Sequence, residues 1–322
     1  MKILFTGGSS FTGYWFARQL AAAGHEVFAV FRGKPDEYTD QLRRSRVETL
    51  VDVCHPFFGV SFGDDRFLQI VSNQTLDILC HHAADATDYK SPHFDVAAAV
   101  QHNTHRLPHV FELLQEAGCT KIVLTGSVFE NNEGAGSGDL EAFSPYGLSK
   151  GLTWLLFRHY ARSRHVSLGK FVIPNPFGPY EEPRFTHYLV KSWLEGAKPS
   201  VNTPLYVRDN IHISLLARIY VRFVTSLGSG ISRINPSGYI ESQGSFASRL
   251  AREIGERIPV KCEFDVKTQT DFAEPMIRIN TDAVDAAVLD WNEKAAWDAF
   301  AEYYERLIPS RSRVFGNRGM HS

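Results

Sequence analysis

The first half of the chain alternates short apolar runs with longer stretches in which apolar residues recur at helical spacing. The apolar runs predict strands at Ile3 to Phe5, Val27 to Phe31, Phe57 to Phe62, Ile78 to Cys80, Lys121 to Leu124 and Gly169 to Ile173. The amphipathic stretches predict helices at Tyr14 to Ala23, Leu42 to Val53, Val96 to Gln115 and Tyr146 to Arg162. Alternating strands and helices form βαβ units, so the pattern predicts an α/β fold with a doubly wound parallel sheet.

The composition of the chain changes after residue 173, where prolines become frequent. Prolines at positions 174, 176, 179, 183, 199 and 204 interrupt long regular elements. We therefore predict a sheet domain of residues 1–173 and a smaller C-terminal α/β lobe of residues 174–207 and 236–308, which would bind substrate. Residues from about 208 to 235 are expected to return to the sheet domain as a strand and a helix, and residues 309–322 are expected to fray.

Composition narrows the possible partners and compartments. The 322 residues are 43% hydrophobic and carry a formal net charge of -2, which permits a large core and predicts no binding to nucleic acid or anionic membranes. Four scattered cysteines without CxxC spacing argue against a zinc site and a disulfide framework. The first apolar run is too short for a signal peptide, and no run of about 18 apolar residues follows. We expect a soluble, cytoplasmic protein.

A glycine-rich loop, TGGSSFTG at residues 6–13, lies between the first strand and the first helix. In that position Gly7 and Gly13 permit a tight turn, and the helix start offers free N–H groups to a pyrophosphate. Ser10 replaces the middle glycine of the usual spacing, and we place Ser9, Ser10 and Phe11 against the cofactor. The motif predicts a Rossmann-type dinucleotide-binding domain.

The end of the second strand bears on which cofactor binds. A carboxylate there would bond the ribose hydroxyls of NAD, whereas a cation accommodates the 2′-phosphate of NADP. The strand is followed by Arg32 and Lys34 and no acid. We predict NADP(H), with NAD(H) possible; the alternative is that both cations are solvated loop charges.

Tyr146 and Lys150 stand four residues apart, which places both side chains on one face of a helix. The phenol has an ordinary pKa of about 10 and needs a nearby cation to act in proton transfer at neutral pH. Lys150 is the candidate for that cation. The pair can also arise by chance, so it needs context.

Seven ordered motifs together give that context. They are the glycine-rich loop, His81-His82-Ala83-Ala84, Asn103, Thr125-Gly126-Ser127, the Tyr146 to Lys150 segment, Pro174 to Pro179, and Tyr206 to His212. With this set the chain resembles the extended short-chain dehydrogenase/reductase family, in particular the NAD(P)-dependent epimerase/dehydratase group that acts on nucleotide sugars. The resemblance reaches about residue 307.

The resemblance implies the catalytic roles. Ser127 would hydrogen-bond the reacting sugar oxygen, and Tyr146 would transfer its proton. Lys150 would hold the nicotinamide ribose and lower the pKa of the tyrosine. Asn103 would support a water-linked proton path.

It also implies cofactor contacts outside the phosphate loop. Ala83, Ala84 and Pro174 would pass close to the cofactor. An acid at the end of the third strand would lie near the adenine; Asp64 is our candidate, and Asp52 competes with it.

On the substrate side, the resemblance implies a nucleotide-diphosphate sugar. Asn175 would contact it, and Arg208 would neutralise the diphosphate, a role suited to a bidentate guanidinium. The alternative for Arg208 is an ordinary salt bridge with Asp209 or another acid. The resemblance further implies a homodimer formed through the helices near residues 96–115 and 146–162.

The residues separate the family's reactions only in part. Val128 and Phe129 stand where a dehydratase carries an acid pair after its active-site hydroxyl residue, so dehydration is disfavoured, although Glu130 is close. The cations at Arg32 and Lys34 favour an NADPH-dependent 4-ketoreductase of a deoxysugar. A 4-epimerase is the alternative, and a non-catalytic NADP-sensing protein is a third reading.

Histidines give no metal prediction. His81 and His82 are adjacent on a strand and point to opposite faces, which favours structural roles. His102, His105 and His109 lack carboxylates at ligand spacing, so we expect them at the surface or at a subunit interface.

Overall fold

In the computed structural model, which describes residues 1–86, 88–89 and 91–307, helices and strands alternate throughout the chain. The strands are β1 Lys2–Thr6, β2 Glu26–Phe31, β3 His55–Phe58, β4 Ile78–His81, β5 Lys121–Ser127, β6 Ala135–Gly136, β7 Ser167–Ile173, β8 Asn175–Phe177, β9 Ser200–Val201, β10 Val207–His212, β11 Ile231–Ile234, β12 Tyr239–Ser242, β13 Asp265–Val266 and β14 Ile277–Ile279. The helices are α1 Phe11–Ala22, α2 Gln41–Val51, α3 Asp65–Asn73, α4 Val96–Asn103, α5 Leu107–Glu116, α6 Pro145–Ser163, α7 Phe185–Leu194, α8 Ile213–Thr225, α9 Gln243–Gly255 and α10 Glu293–Leu307.

Seven strands form one parallel sheet in the order β11-β7-β5-β4-β1-β2-β3. Successive residues of a strand face opposite sides, so Ile3 and Phe5 enter one core with α1 and α8, while Leu4 enters the other with α3, α5 and α6. The predicted α/β fold with a Rossmann-type doubly wound sheet is confirmed. The order reverses between β1 and β4, and a cleft is expected at that point.

The lobe has a mixed sheet in the order β12-β10-β14-β6, with β8 paired to β10, and β9 and β13 form a separate pair. Its core is aromatic and centres on Phe177, Trp193, Trp297 and Phe300. Because β10 pairs within this sheet, the return to the sheet domain begins at Ile213 and not near residue 208.

The structure divides the predicted helix from Val96 to Gln115 into α4 and α5. Arg106 has a left-handed backbone with φ of 49°, and Pro108 lies in the first turn of α5. A proline lacks the N–H that a continuous helix needs at that point, so the chain restarts its helix there. The predicted third strand also ends four residues early, at Phe58. The tail predicted at residues 309–322 lies outside the described residues.

Candidate active site

A cleft of about 460 Å³ opens at the carboxyl ends of the central strands. One wall comes from the phosphate loop, β4, β5 and α6, and the other comes from the chain between β7 and α7. The cleft brings together predicted site residues from both lobes: Ser10, Phe11, Ala83, Ala84, Ser127, Tyr146, Lys150, Pro174 and Asn175.

Two glycines give the phosphate loop its close packing. Gly7 has φ of +84°, and a Cβ there would lie 2.7 Å from the backbone nitrogen of Ala83. A Cβ on Gly13 would lie 2.1 Å from the carbonyl oxygen of Gly7. The loop therefore presses against the segment after β4 with no room for a side chain at either position.

Ser10, which replaces the middle glycine, turns its hydroxyl into the loop. It donates to the Gly7 carbonyl at 2.9 Å and accepts from the N–H of Gly13 at 3.2 Å as the N-cap of α1. Phe11 and the first turn of α1 then face the cleft, where their N–H groups suit a pyrophosphate. Ser9 is not among the cleft-lining residues, and its carbonyl accepts from Arg46.

The two adjacent histidines support this region. His82 lies within 3.1 Å of the hydroxyls of Ser10 and Thr12 and within 2.9 Å of that of Thr125. His81 bonds the hydroxyl of Thr6 at 2.9 Å and the backbone carbonyl of Asn103, at the end of α4, at 3.2 Å. Burial lowers the pKa of each imidazole to about 3, so both are neutral at physiological pH.

A tight turn after β5 positions Ser127. Its hydroxyl accepts from the N–H of Phe129 at 3.2 Å and can still donate to a ligand. A Cβ on Gly147 would lie 2.2 Å from the Phe129 carbonyl oxygen, so the glycine lets α6 pack directly on the turn. This contact brings Tyr146, the residue before it, to the same wall of the cleft.

The surroundings of Tyr146 favour the protonated phenol. Burial raises the pKa of its phenol to about 12, with a further increase from Glu130 and an opposing effect of Arg184. The sequence-based expectation was that Lys150 lowers this pKa. In the structure loss of solvent outweighs the opposing effect of Arg184, and the role of Lys150 at the phenol stays a prediction.

Lys150 is 4% exposed and faces the cleft. Burial lowers the pKa of its ammonium to about 8, while the carboxylate of Glu130 raises it and Lys170 lowers it. Lys150 is therefore mainly cationic at neutral pH, close to the point at which it loses its proton.

Several predicted residues lie away from the cleft lining. Asn103 is buried, with its side chain accepting from the N–H of Asp85 at 2.8 Å and donating to Thr153 at 3.3 Å, so it braces α6 against the loop after β4. Arg32 and Lys34 are exposed beyond the end of β2.

The two candidate adenine acids have local roles in the structure. The carboxylate of Asp64 is the N-cap of α3, accepting from Phe67 at 2.7 Å and from Ser61 at 2.6 Å. Asp52 is the exposed C-cap residue of α2.

Arg208 lies on β10 and lines neither the cleft nor a second cavity of about 330 Å³ in the lobe. Its guanidinium is 4.6 Å from the ring of Tyr206, which lines that cavity, and 5.6 Å from Phe143, which stacks on the cleft residue Phe129. It also pairs with Glu274 at 2.7 Å. The salt bridge considered as the alternative for Arg208 therefore exists, with Glu274 in place of Asp209.

Sequence reasoning missed a second group of cleft residues. They are Arg43 at the start of α2, Tyr89, and Glu182, Pro183 and Arg184 before α7. The charged residues directly after the proline-rich run were the available signal. It also missed Arg46, a fully buried guanidinium that bonds the carbonyl of Tyr180 and, at 2.7 Å, the carboxylate of Glu182.

Within the described residues, no group of three or more His, Cys, Asp or Glu side chains could hold a metal ion. His102, His105 and His109 are exposed, with His102 bonded to Asp85 at 2.9 Å and His109 facing Glu112. In the same part of the chain, every helix is too short or too polar to cross a membrane.

Comparison with known proteins gives a family. A family model described as the NAD dependent epimerase/dehydratase family matches residues 3–235. No curated protein matches the chain.

Solved structures share the fold over nearly the full length. The UDP-glucose 4-epimerase of Thermotoga maritima with UDP-glucose is 19% identical, with coverage of 95% of this chain and 99% of that one and a TM-score of 0.71. The UDP-glucuronic acid 4-epimerase of Bacillus cereus with UDP-glucuronic acid and NAD is 19% identical, with 95% and 100% coverage and a TM-score of 0.72. DesIV, a dTDP-glucose 4,6-dehydratase from Streptomyces venezuelae, is 17% identical, with 95% and 97% coverage and a TM-score of 0.69.

Proposed function

Because the chain belongs to the NAD dependent epimerase/dehydratase family, we propose that it inverts a hydroxyl-bearing carbon of a nucleotide-diphosphate sugar, as a 4-epimerase. The observation that carries this proposal is the meeting of Ser127, Tyr146 and Lys150 in one cleft with the phosphate loop. Two of the similar solved structures are 4-epimerases bound to UDP-sugars, which favours epimerisation over the ketoreduction that the sequence alone favoured.

The residues have complementary roles in this reaction. When bound, the nicotinamide dinucleotide supplies a site that takes a hydride from the sugar carbon and gives it back. In its phenolate form Tyr146 accepts the hydroxyl proton and later returns it to the same oxygen, while Ser127 donates a hydrogen bond to that oxygen. Lys150, cationic at neutral pH, stabilises the phenolate that forms on Tyr146.

Dehydration is the less suitable reaction. Elimination of water needs an additional acid-base pair at the cleft. Glu130, the nearest carboxylate to Ser127 in sequence, is buried behind the turn and is not among the cleft-lining residues. Glu182 lines the cleft, but its carboxylate is paired with Arg46.

The test of the catalytic assignment is Tyr146→Phe, compared with Tyr160→Phe. Tyr160 lies on the same helix and packs on Phe111 away from the cleft. With UDP-glucose, UDP-glucuronic acid and dTDP-glucose as substrates and product epimers separated by chromatography, Tyr146→Phe should lose at least about 100-fold in kcat. Tyr160→Phe should keep kcat, and retained epimerisation in Tyr146→Phe would exclude the assignment.

NADP(H) remains our proposal for the preferred cofactor. Arg32, Lys34 and Arg43 are exposed cations beyond β2 and at the start of α2, and Arg43 lines the cleft. They suit a 2′-phosphate. Dissociation constants for NADPH and NADH should favour NADPH in the wild type and approach each other in Arg32→Met, whereas tighter NADH binding by the wild type would refute the preference.

A 4-ketoreductase is the second candidate, and one observation favours it. Tyr146 is protonated, with a pKa of about 12, and so is ready to donate a proton to a carbonyl oxygen. Incubation with NADPH and a 4-keto nucleotide sugar separates the two activities. Stoichiometric loss of NADPH absorbance indicates reduction, whereas interconversion of epimers without net absorbance change indicates epimerisation.

The diphosphate role of Arg208 also stays our proposal. Its guanidinium contacts Phe143, which stacks on the cleft residue Phe129, and Tyr206, which lines the second cavity. We propose that its charge neutralises the diphosphate in exchange for the partly exposed Glu274. Arg208→Met should raise KM for the nucleotide sugar while the affinity for the cofactor is unchanged.

A homodimer through α6 is also proposed. Leu148, Leu152, Leu155 and Leu156 are each more than a third exposed on this helix, at spacings that place them along one side. Sedimentation of the wild type should show a dimer, and Leu152→Glu with Leu155→Glu should give a monomer.

A further inference from the structure

Behind the Ser127 turn lies a buried ionic cluster, which we define as Glu130, Lys170 and Glu133. The ammonium of Lys170 donates to Glu130 at 2.5 Å and to Glu133 at 2.6 Å. The three side chains are 0%, 1% and 4% exposed. Two buried carboxylates share this one ammonium close to the active site.

The cluster reaches the active site through the backbone. The second carboxylate oxygen of Glu130 accepts the N–H of Ser127 at 2.7 Å. A Cβ on Gly126 would lie 2.6 Å from the Cε of Lys170 and 3.0 Å from the same Glu130 oxygen, so the cluster packs directly on the strand that carries Ser127. Charge-assisted bonds of this kind hold a peptide in a fixed orientation.

Glu133 provides a contrast within the same cluster. Its other oxygen accepts from Asn235 at 3.0 Å and faces Arg233 at 3.4 Å, both on the side of β11. It makes no bond to the Ser127 turn among those described. The two carboxylates therefore share a partner and a degree of burial but differ in their connection to the site.

We propose that Glu130 is a positioning residue of the active site, whose buried carboxylate, anchored by Lys170, fixes the Ser127 peptide and places its negative charge beside the cleft that Lys150 and Tyr146 line. This inference rests on the proposed catalytic roles of Ser127, Tyr146 and Lys150. Burial removes water from the Glu130 carboxyl and raises its pKa. Lys170, Lys150 and the N–H of Ser127 each act to lower that pKa.

The groups around the two titrating side chains give the expected signs. Lys150 is acted on by Glu130 and Lys170, and the neighbouring His81 and His82 are neutral. Tyr146 is acted on by Glu130, Arg184 and Tyr89. The negative charge of Glu130 raises the pKa of both Lys150 and Tyr146, so its removal must lower both.

The test compares Glu130→Gln with the matched control Glu133→Gln. Lysines of each protein are labelled with ¹³C during expression, and the Lys150 Cε signal, assigned with Lys150→Arg, is titrated by NMR. The midpoint in the unsubstituted protein is expected at about 8. Glu130→Gln should lower it by roughly one pH unit, and Glu133→Gln should leave it within a few tenths of a unit.

An unchanged midpoint in Glu130→Gln, or an equal shift in both variants, would overturn the proposal. Should Glu130→Gln fail to fold, the double variant Glu130→Gln with Lys170→Met removes both opposing charges at once. Its Lys150 midpoint should fall by less than half of the shift expected for Glu130→Gln. A midpoint that does not fall, or that falls by more than half of that shift, would also overturn the proposal. The NMR readout needs no turnover, so it fails separately from the epimerase assignment, which Tyr146→Phe tests.

Discussion

The two walls of the cleft are held in shape by contacts of very different range. On the sheet-domain wall, Ser10 closes the phosphate loop by bonding residues three positions away on either side. On the lobe wall, Arg46 bonds Tyr180, 134 residues along the chain, and Tyr304 bonds Glu181, 123 residues away. The turn of the phosphate loop is thus closed by local bonds, although the loop also packs on His82 and Ala83. The substrate side depends more fully on side chains from distant elements, so substitutions should separate the two functions.

The largest expected effect comes from breaking the sheet-domain wall. Gly7→Ala should place a Cβ 2.7 Å from the backbone of Ala83 at a positive φ, combining collision with strain. We expect a loss of about 3 kcal/mol in the free energy of unfolding and loss of measurable cofactor binding. Chemical denaturation and cofactor fluorescence measure the two quantities.

Gly24→Ala is the control for Gly7→Ala. Gly24 has nearly the same backbone, with φ of +82°, but nothing lies within 4 Å of its Cβ position. Gly24→Ala should lower the free energy of unfolding by about 1 kcal/mol through backbone strain alone, and the variant should bind cofactor normally. Equal losses of unfolding free energy in the two variants would show that the close approach of the phosphate loop to Ala83 does not contribute to the cost of Gly7→Ala.

The next effect tests the connection between the walls. Arg46→Met removes a fully buried guanidinium and leaves the carbonyls of Tyr180 and Ser9 without their donor. We expect a loss of about 2–3 kcal/mol in the free energy of unfolding. Because Arg46 fixes the segment bearing Glu182, KM for the sugar should rise more than the dissociation constant of the cofactor does.

Arg44→Met provides the matched control on the same helix. Arg44 is exposed and pairs with Glu48 one turn away at 3.3 Å, a contact worth less than about 0.5 kcal/mol. A comparable loss of unfolding free energy in Arg46→Met and Arg44→Met would mean that the buried Arg46 does not stabilise the segment that bears Glu182.

The same difference in range decides what could be predicted from the sequence. The parallel sheet and the phosphate loop follow from hydrophobic periodicity and from glycine spacing within eight residues, and both are visible in a single segment. The roles of Arg46 and Glu130 follow from partners that only the fold brings near, at 134 and 40 residues in sequence. No local pattern distinguishes Arg46 from the exposed Arg44.

The same reasoning applies to the protonation of Tyr146. Its spacing from Lys150 correctly suggested a shared helix face, but the pKa of a phenol depends on desolvation and on every nearby charge. Burial, Glu130 and Arg184 contribute these effects, and each depends on tertiary packing. The spacing therefore identified the residue without predicting its protonation state.

The smallest expected effect is the sharpest test of the comparison, because the two walls act on the Tyr146 phenol with opposite sign. Glu130 from the sheet domain raises its pKa, whereas Arg184 at the start of α7 lowers it. Arg184→Met should therefore shift upward the limb of the kcat profile that reports Tyr146, by less than about half a pH unit because the guanidinium is exposed. Arg184→Lys keeps the charge and should keep the limb in place. A downward shift in Arg184→Met, the direction expected for Glu130→Gln, would show that the lobe does not act electrostatically on the catalytic proton.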